Sequence, residues 1–277
     1  MAHKTPTRID RFMFAHQPWS IGAVVIPATA AIKIGRAVKS RVRPETTTVW
    51  CSPAEHDAVV QRVAEQVRRW AALPAEGRPQ LRTNRSATSS FSLRHADKSG
   101  AQTVDVGGLR HVIELDEKAQ TVRIEPQATV GEVTDALAKH GWMLEATLEM
   151  EGASLGGLAL SQGLTTHSHQ CGFVHDTVTE WEFVTGQGEV LVANAEQNSD
   201  VFVTAGMSQG SLGVLTALTL RVVPTTKEVL ITYETVDDLD QLANVMMKRM
   251  ADPDIDFAEA IAFSAEHSVV ISGVGLS

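Results

Sequence analysis

Residues 151–172, EGASLGGLALSQGLTTHSHQCG, hold five glycines and seven Ser, Thr or His side chains in 22 positions, with no Lys, Arg or Asp. That much glycine and serine makes the segment a poor helix and a poor strand. Glycine admits positive φ and lets the main chain come close to a bulky ligand. Successive main-chain N–H groups in such turns form a concave anion site, suited to phosphate. A glycine-rich surface loop is the plain alternative, since Gly and Ser clusters mark loops generally. Leu155, Leu158, Leu160 and Leu164 count against it, because apolar residues at every few positions imply partial burial. A buried loop must then satisfy its own main-chain groups.

The order of residues says more than their proportions. ASLGGLALSQGLTTHSHQCG (153–172) is followed by TEWEFVTGQGEVL (179–191) and NSDVFVTAGMSQGSLGVLTALTLRVVP (198–224). Around them, HQPW (16–19), EQVRRW (65–70), LRTNR (81–85), VRIEPQATVGEVTDAL (122–137) and GWMLE (141–145) occur in one order. Together these motifs resemble the flavin-binding domain of the vanillyl-alcohol-oxidase superfamily and, within it, the delta(24)-sterol reductases. The resemblance covers nearly the whole chain.

That resemblance implies an α+β chain: a PCMH-type FAD-binding domain of two α/β subdomains over 45–226, then the start of an α+β substrate (cap) domain over 227–277. It implies a membrane anchor and basic flank over 1–44, in the endoplasmic reticulum membrane, with the catalytic part cytosolic. FAD contacts carry over onto Ser154, Leu155, Gly156, Gly157, Leu158, Ala159, Leu160, Ser161, Gln162, Gly163, Leu164, Thr165 and Thr166. His169, Gly210 and Gly213 fall beside the cofactor by the same resemblance. Gly156, Gly157 and Gly163 would let the chain pass against the pyrophosphate, and Ser161, Thr165 and Thr166 offer hydroxyls. The implied reaction is reduction of a sterol side-chain double bond, with NADPH as hydride source and FAD bound non-covalently. An alcohol or sugar-acid oxidase of the same superfamily, or a non-catalytic remnant, are the rival readings. No residue is assigned as catalytic. Members of the group continue well beyond this length, so Ser277 reads as falling inside the substrate domain, with a last strand left as an open edge.

Composition sets the outer bounds. The 277 residues are 43% hydrophobic and 21% charged, an ordinary globular balance with room for one large or two medium domains. A net charge of −9 spread without long acidic runs argues against a nucleic-acid partner, because phosphate neutralisation needs clustered Lys and Arg. Cys51 and Cys171 are the two cysteines, and their spacing indicates neither a disulfide framework nor a metal site.

Phe12–Ile32 is free of formal charge for 21 residues, enough for a helix of about 30 Å, the thickness of a bilayer's hydrocarbon. His16, Gln17, Pro18, Ser20, Pro27 and Thr29 dilute it, and Lys33, Arg36, Lys39, Arg41 and Arg43 follow at once, as positive charge does on the cytoplasmic side of an anchor. A spanning anchor, a surface-lying helix and a signal peptide compete. The charges occupy the place of a cleavage site and disfavour the last.

Local signals fix several elements. Ser52, Pro53 and Glu55 make a capping box, opening an amphipathic helix through Val59, Val60, Val63, Val67 and Trp70 that ends before Pro74, with Arg62, Arg68 and Arg69 on its solvated face. Leu81–Leu93 is Ser/Thr-rich where the superfamily places its first pyrophosphate loop, with Arg85, Ser86, Thr88 and Ser89 as candidate phosphate contacts. Asn84-Arg85-Ser86 matches a glycosylation sequon and reads as chance. Val112–Leu115 and Val122–Glu125 alternate as strands. Thr129 and Glu132 make a second capping box for a helix that Gly141 closes. Gly186-Gln187-Gly188 is a hairpin turn rather than a Rossmann fingerprint, and Leu218, Leu220 and Val222 lead a strand that Pro224 ends. Beyond it lie a strand at Val229–Tyr233, a helical stripe of Leu239, Leu242, Val245, Met246 and Met250 read as core packing, and a strand at Val269–Val274. His167 and His169 are loop histidines with no carboxylate nearby in sequence, a weak metal signal, and Cys171 reads as a buried small thiol.

Overall fold

The computed structural model describes residues 49–84 and 100–276. Thr48–Ser277 form one compact unit. The expected anchor at Phe12–Ile32, its basic flank, and the phosphate contacts at Arg85, Ser86, Thr88 and Ser89 lie outside the described residues. Among the described residues, no helix is long and apolar enough to cross a membrane.

Helix α1 (Pro53–Ala71) opens as its sequence dictates: Glu55 N–H donates to Ser52 Oγ at 3.2 Å, and Glu55 Oε2 accepts from Ser52 N–H at 2.7 Å. Strands β1 (Leu81–Thr83) and β2 (Gln102–Val104) pair in parallel beside it. Val60, Val63, Ala64 and Val67 of α1 seal against Val104, Val106 and Leu109 in one small core.

A larger sheet follows. Strands β3 (Val112–Asp116) and β4 (Thr121–Ile124) form a hairpin, α2 (Val130–Ala138) starts at the Thr129–Glu132 capping box, and Gly141, at φ +80°, turns the chain into β5 (Trp142–Leu144). After short helices α3 (Leu155–Ala159) and α4 (Ser168–Cys171) and a 3₁₀ turn come β6 (Val178–Val184), β7 (Val190–Asn194), α5 (Ser199–Ala205) and β8 (Val214–Pro224). The order is β3-β4-β8-β6-β7, with β5 also on β8, and every pairing is antiparallel. Strand β8 is the hub, pairing with β4, β5 and β6. Its buried face and that of β6 bring Leu218, Leu220, Trp181 and Phe183 against Ile124, Leu137 and Leu155.

The turn between β6 and β7 is the expected hairpin, but Arg68 is not merely a solvated charge. Its Nε donates to the Gly188 carbonyl at 3.1 Å, so the helix pins the turn. Gly188 sits at φ +78°, a conformation L side chains rarely adopt.

A second sheet is built from β9 (Glu228–Val236), β10 (Phe257–Ala262) and β11 (Ser268–Leu276), in the order β10-β11-β9 and all antiparallel. Here the expectation of an open edge at the last strand is corrected: β11 is the middle strand, and the edges are β9 and β10. Helix α6 (Leu239–Met250) begins at Asp238, whose Oδ1 accepts from Gln241 N–H at 2.6 Å. Its apolar stripe is also corrected. Leu242, Val245 and Met246 are half-buried, Leu239 and Met250 are exposed, and no residue of the helix is fully buried, so the stripe is not a closed core.

Candidate functional site

The glycine-rich segment is neither a long helix nor a free loop. Main-chain bonds fasten its start to the segment between β4 and α2: Leu155 N–H donates to the Ala128 carbonyl at 3.0 Å and Gly156 N–H to that of Pro126 at 2.9 Å. A single five-residue helix, α3, then turns the chain at Leu160. Of the four leucines expected to be partly buried, Leu155 is sealed and Leu158 and Leu160 are half-buried, but Leu164 is 64% exposed. Leu164 lies in the turn after Gly163, where no element among the described residues covers it.

The glycines divide into two groups. A Cβ on Gly156 would run into Pro126, its carbonyl oxygen 2.8 Å away, and one on Gly163 would come within 2.9 Å of Val174 Cβ. Packing inside the protein therefore explains both. Gly213 is similar, pressed within 2.6 Å of the Val184 carbonyl oxygen. Gly157 differs, because among the described residues a Cβ there would meet only Ser154 Oγ, at 2.9 Å, and that hydroxyl makes no capping bond. Gly210 has open space about its Cβ position and is required by φ +79°. Gly156→Ala should therefore destabilise the fold by about 1–3 kcal/mol through overpacking, measured as a lowered urea midpoint with unchanged slope.

Polar groups of the segment are turned mostly onto the chain itself. Ser161 Oγ donates to the Gly157 carbonyl at 2.7 Å, Thr165 N–H donates to Ser168 Oγ at 2.8 Å, and Thr165 Oγ1 accepts from His167 N–H at 3.1 Å. Gln162 is exposed and Ala159 buried. A second loop is tied alongside: Gln209 N–H donates to the Leu160 carbonyl at 2.9 Å. Met207, Gln209 and Gly210 all have positive φ, at 61°, 54° and 79°. Left-handed non-glycine residues cost about 1 kcal/mol or more each and persist where the surroundings impose them.

The far end of the segment meets the second sheet. Thr166 accepts from Ala258 N–H at 2.9 Å, His169 Nε2 lies 3.0 Å from the Ile255 carbonyl, and Gln170 Nε2 donates to the same oxygen at 2.7 Å. His169 is thus a brace between two parts of the fold. Beside these contacts lies a cavity of about 450 Å³, lined by Glu145, His167, Cys171, Asp256 and Phe257 among others. His167 stands edge-on to Phe257 with ring centres 4.2 Å apart, and its buried Nδ1 has no partner among the described residues. Burial holds this imidazole below its ordinary value, against the pull of Asp256 and Glu145. The carboxylates absent from the local sequence are therefore supplied by β5's end and by the second sheet. Burial, followed by Glu145, pushes the half-buried Cys171 thiol up.

A third cluster was invisible in the sequence. His56, fully buried on α1, lies between two carboxylates: Nδ1 is 2.7 Å from Glu125 Oε1 and Nε2 is 3.1 Å from Glu182 Oε1. Glu182 also pairs with Arg123 at 2.7 Å and accepts from Thr216 Oγ1 at 2.6 Å, while Glu125 Oε2 is 2.9 Å from His111 Nδ1. Burial works against a charged imidazole, but the two carboxylates win and raise His56 to about 9. Burial likewise opposes the Glu182 carboxylate, and hydrogen bonds from His56 and Thr216 hold it below its usual range. Cys51 sits at the edge of this cluster, its thiol pushed up to about 11 by burial and then by Glu125 and Glu55. Asn84, first residue of the sequon, uses its side chain inside the protein, donating to Asp105 Oδ1 at 2.6 Å and accepting from Val106 N–H at 2.9 Å.

An antiparallel sheet with a capped helix before it and a glycine-rich turn fastened beneath it defines a class. The model of the family described as FAD binding domain matches residues 54–194, about half of the sequence, and the chain belongs to that family. Its α+β architecture is the PCMH-type FAD-binding fold that the motifs imply. Within that class the chain resembles the delta(24)-sterol reductases. It is 27% identical to Delta(24)-sterol reductase of Homo sapiens over 264 residues, 95% of this chain and 50% of the relative. It is 26% identical to that of Pisum sativum over 245 residues, covering 84% and 43% respectively. A more distant similarity, 26% over 132 residues, is to a FAD-dependent monooxygenase of Cercospora nicotianae. The chain spans about half the length of the sterol reductases it matches.

Proposed function

We propose that this chain is the cofactor-binding part of a flavoenzyme that reduces the side-chain double bond of a sterol, with NADPH as hydride source. The observation that carries the reading is the 27% identity to delta(24)-sterol reductases over 95% of the chain, together with a glycine-rich turn that fits a diphosphate. What supports the fit is Gly157, where among the described residues a Cβ would meet the Ser154 hydroxyl alone, and the left-handed Met207, Gln209 and Gly210, whose loop is tied to Leu160. No acidic side chain occurs from Gly152 to Gly172 to repel an anion.

In this reading Ser154–Thr166 hold FAD, using amides other than those of Leu155, Gly156, Leu158, Leu160, Ser161, Leu164 and Thr165, which are bound within the protein, with His169, Gly210 and Gly213 bracing the turn. FAD, when bound, would supply the acceptance of hydride from NADPH and its delivery to one alkene carbon, the other carbon taking a proton from a donor acid. The protein's part is positioning and exclusion of water. The cavity between the segment and the second sheet would receive the reacting end of the substrate, and His167, neutral and with a buried nitrogen needing a partner, faces a ligand there. On this assignment 45–226 form the FAD-binding domain, 227–277 the beginning of the substrate domain, and 1–44 the attachment to the endoplasmic reticulum membrane, leaving the catalytic part in the cytosol.

The test is anaerobic. Protein loaded with FAD should be bleached by NADPH and regain its colour on addition of a sterol with a side-chain double bond. Failure to retain FAD, FAD that NADPH does not bleach, or, in a parallel aerobic assay, oxygen uptake driven by an alcohol would sink the proposal.

A further inference from the structure

The structure brings together three side chains whose donor atoms lie within 4.8 Å of one another: Cys51 Sγ, a ring nitrogen of His111 and a carboxylate oxygen of Glu125. We propose that they form a binding site for a thiophilic divalent cation, Zn²⁺ being the natural occupant.

The donor set suits a thiophilic ion and not the hard alkaline-earth cations. Thiolate, imidazole and carboxylate are the three ligand types zinc takes, whereas Mg²⁺ and Ca²⁺ prefer oxygen alone. The set is also built rather than accidental. Each ligand comes from a different stretch of main chain, and hydrogen bonds knit the stretches side by side. Cys51 N–H donates to the Val112 carbonyl at 3.0 Å, Val112 N–H to that of Val49 at 2.7 Å, and Glu125 N–H to that of His111 at 2.8 Å. Little main-chain movement is therefore needed to receive an ion. Ligands about 2.0–2.1 Å from a tetrahedral zinc stand about 3.3 Å apart, so the His111–Glu125 pair, now at 2.9 Å, would open by only a few tenths of an ångström.

Outer partners are already in place. Glu125 Oε1 is fixed by His56 Nδ1 at 2.7 Å and Oε2 accepts from His111 N–H at 2.8 Å. His56 is oriented in turn by Glu182, itself held by Arg123 and Thr216. Hydrogen-bonded partners of this kind orient metal ligands and raise affinity by about 10–100-fold. On binding, the ion replaces the proton between His111 Nδ1 and Glu125, His111 carries its proton on Nε2, and Cys51 releases its thiol proton to water. Three protein ligands leave a fourth position for water, and Cys51 and His111 are only half-buried, so solvent can reach it. The site lies in the β3–β4 region beneath α1, and it does not depend on the reading of the glycine-rich segment.

Cobalt reports on it directly. Titrating the full chain with Co²⁺ should produce a thiolate-to-cobalt charge-transfer band saturating at one equivalent, and Zn²⁺ should displace it. Cys51→Ser should abolish the band, Cys171→Ser should keep it, and His111→Asn should weaken Zn²⁺ binding about tenfold or more against a chelator. Zn²⁺ should also slow alkylation of Cys51 in the unmodified protein, read peptide by peptide, which needs no variant to fold. No charge-transfer band in the wild type, a band that survives Cys51→Ser, or unprotected Cys51 each overturns the proposal.

Discussion

His56→Ala should lower the unfolding free energy by about 3–5 kcal/mol, the range seen when one partner of a buried ionic group is removed. The variant leaves Glu125 and Glu182, 1% and 7% exposed, facing each other with no cation between them. Urea unfolding at neutral pH measures the loss, and a change below about 1 kcal/mol would mean that the imidazole is not charged in the folded protein. The pH profile carries a second signature. His56 is raised from 6.5 to about 9 in the fold, so its contribution, about 3 kcal/mol, is fully present below pH 6.5 and disappears as pH rises through about 9. Glu182 acts on the opposite flank: its folded value is depressed, so its contribution is present above the ordinary 4.5 and is lost as pH falls through the depressed value. Wild-type stability should decline on the alkaline side, and His56→Ala should flatten that decline.

The second large effect concerns flavin retention. Gly157→Trp should weaken FAD binding by about a hundredfold or more, close to 3 kcal/mol, while leaving the urea midpoint nearly unchanged. The separation follows from the surroundings of Gly157: a Cβ there meets only the Ser154 hydroxyl, a side chain that can turn away. Gly156→Ala should show the reverse order of effects, because its Cβ strikes the main chain of Pro126. Comparing flavin content and midpoint for the two variants distinguishes a ligand-facing glycine from a packing glycine. If Gly157→Trp purifies with normal FAD content, the diphosphate assignment to this turn is wrong.

What the sequence made legible was local. The capping boxes at Ser52 and Thr129 form as written because their partners lie three residues away. The β6–β7 hairpin needs only its turn and two alternating runs. What it concealed is long-range. His56 meets Glu125 across 69 positions and Glu182 across 126, the three lying on a helix, just past β4 and on β6, and no spacing rule signals such a group. Cys51 and His111 are hidden in the same way, since a main-chain bridge between Trp50 and Val112 brings them together. Burial also misled where it was inferred from residue type. Leu164, Leu239 and Met250 are apolar but exposed, because periodicity reveals that a face is apolar and not whether anything lies against it. Gly156 and Gly163 read in the sequence as places where the main chain approaches a pyrophosphate; the atoms a side chain would strike there belong to Pro126 and Val174.

The placement of β11 between β9 and β10 has a bearing on how the polypeptide acquires its shape during synthesis. Strands β9 and β10 do not bond to each other, so neither gains a ladder until residues 268–276 have emerged. The earlier sheet, whose hub β8 is complete by Pro224, can assemble on the ribosome while the later one waits. Between those two moments the nascent chain carries two unpaired strands, and translation pausing just before Ser268 is the interval in which a chaperone would find them.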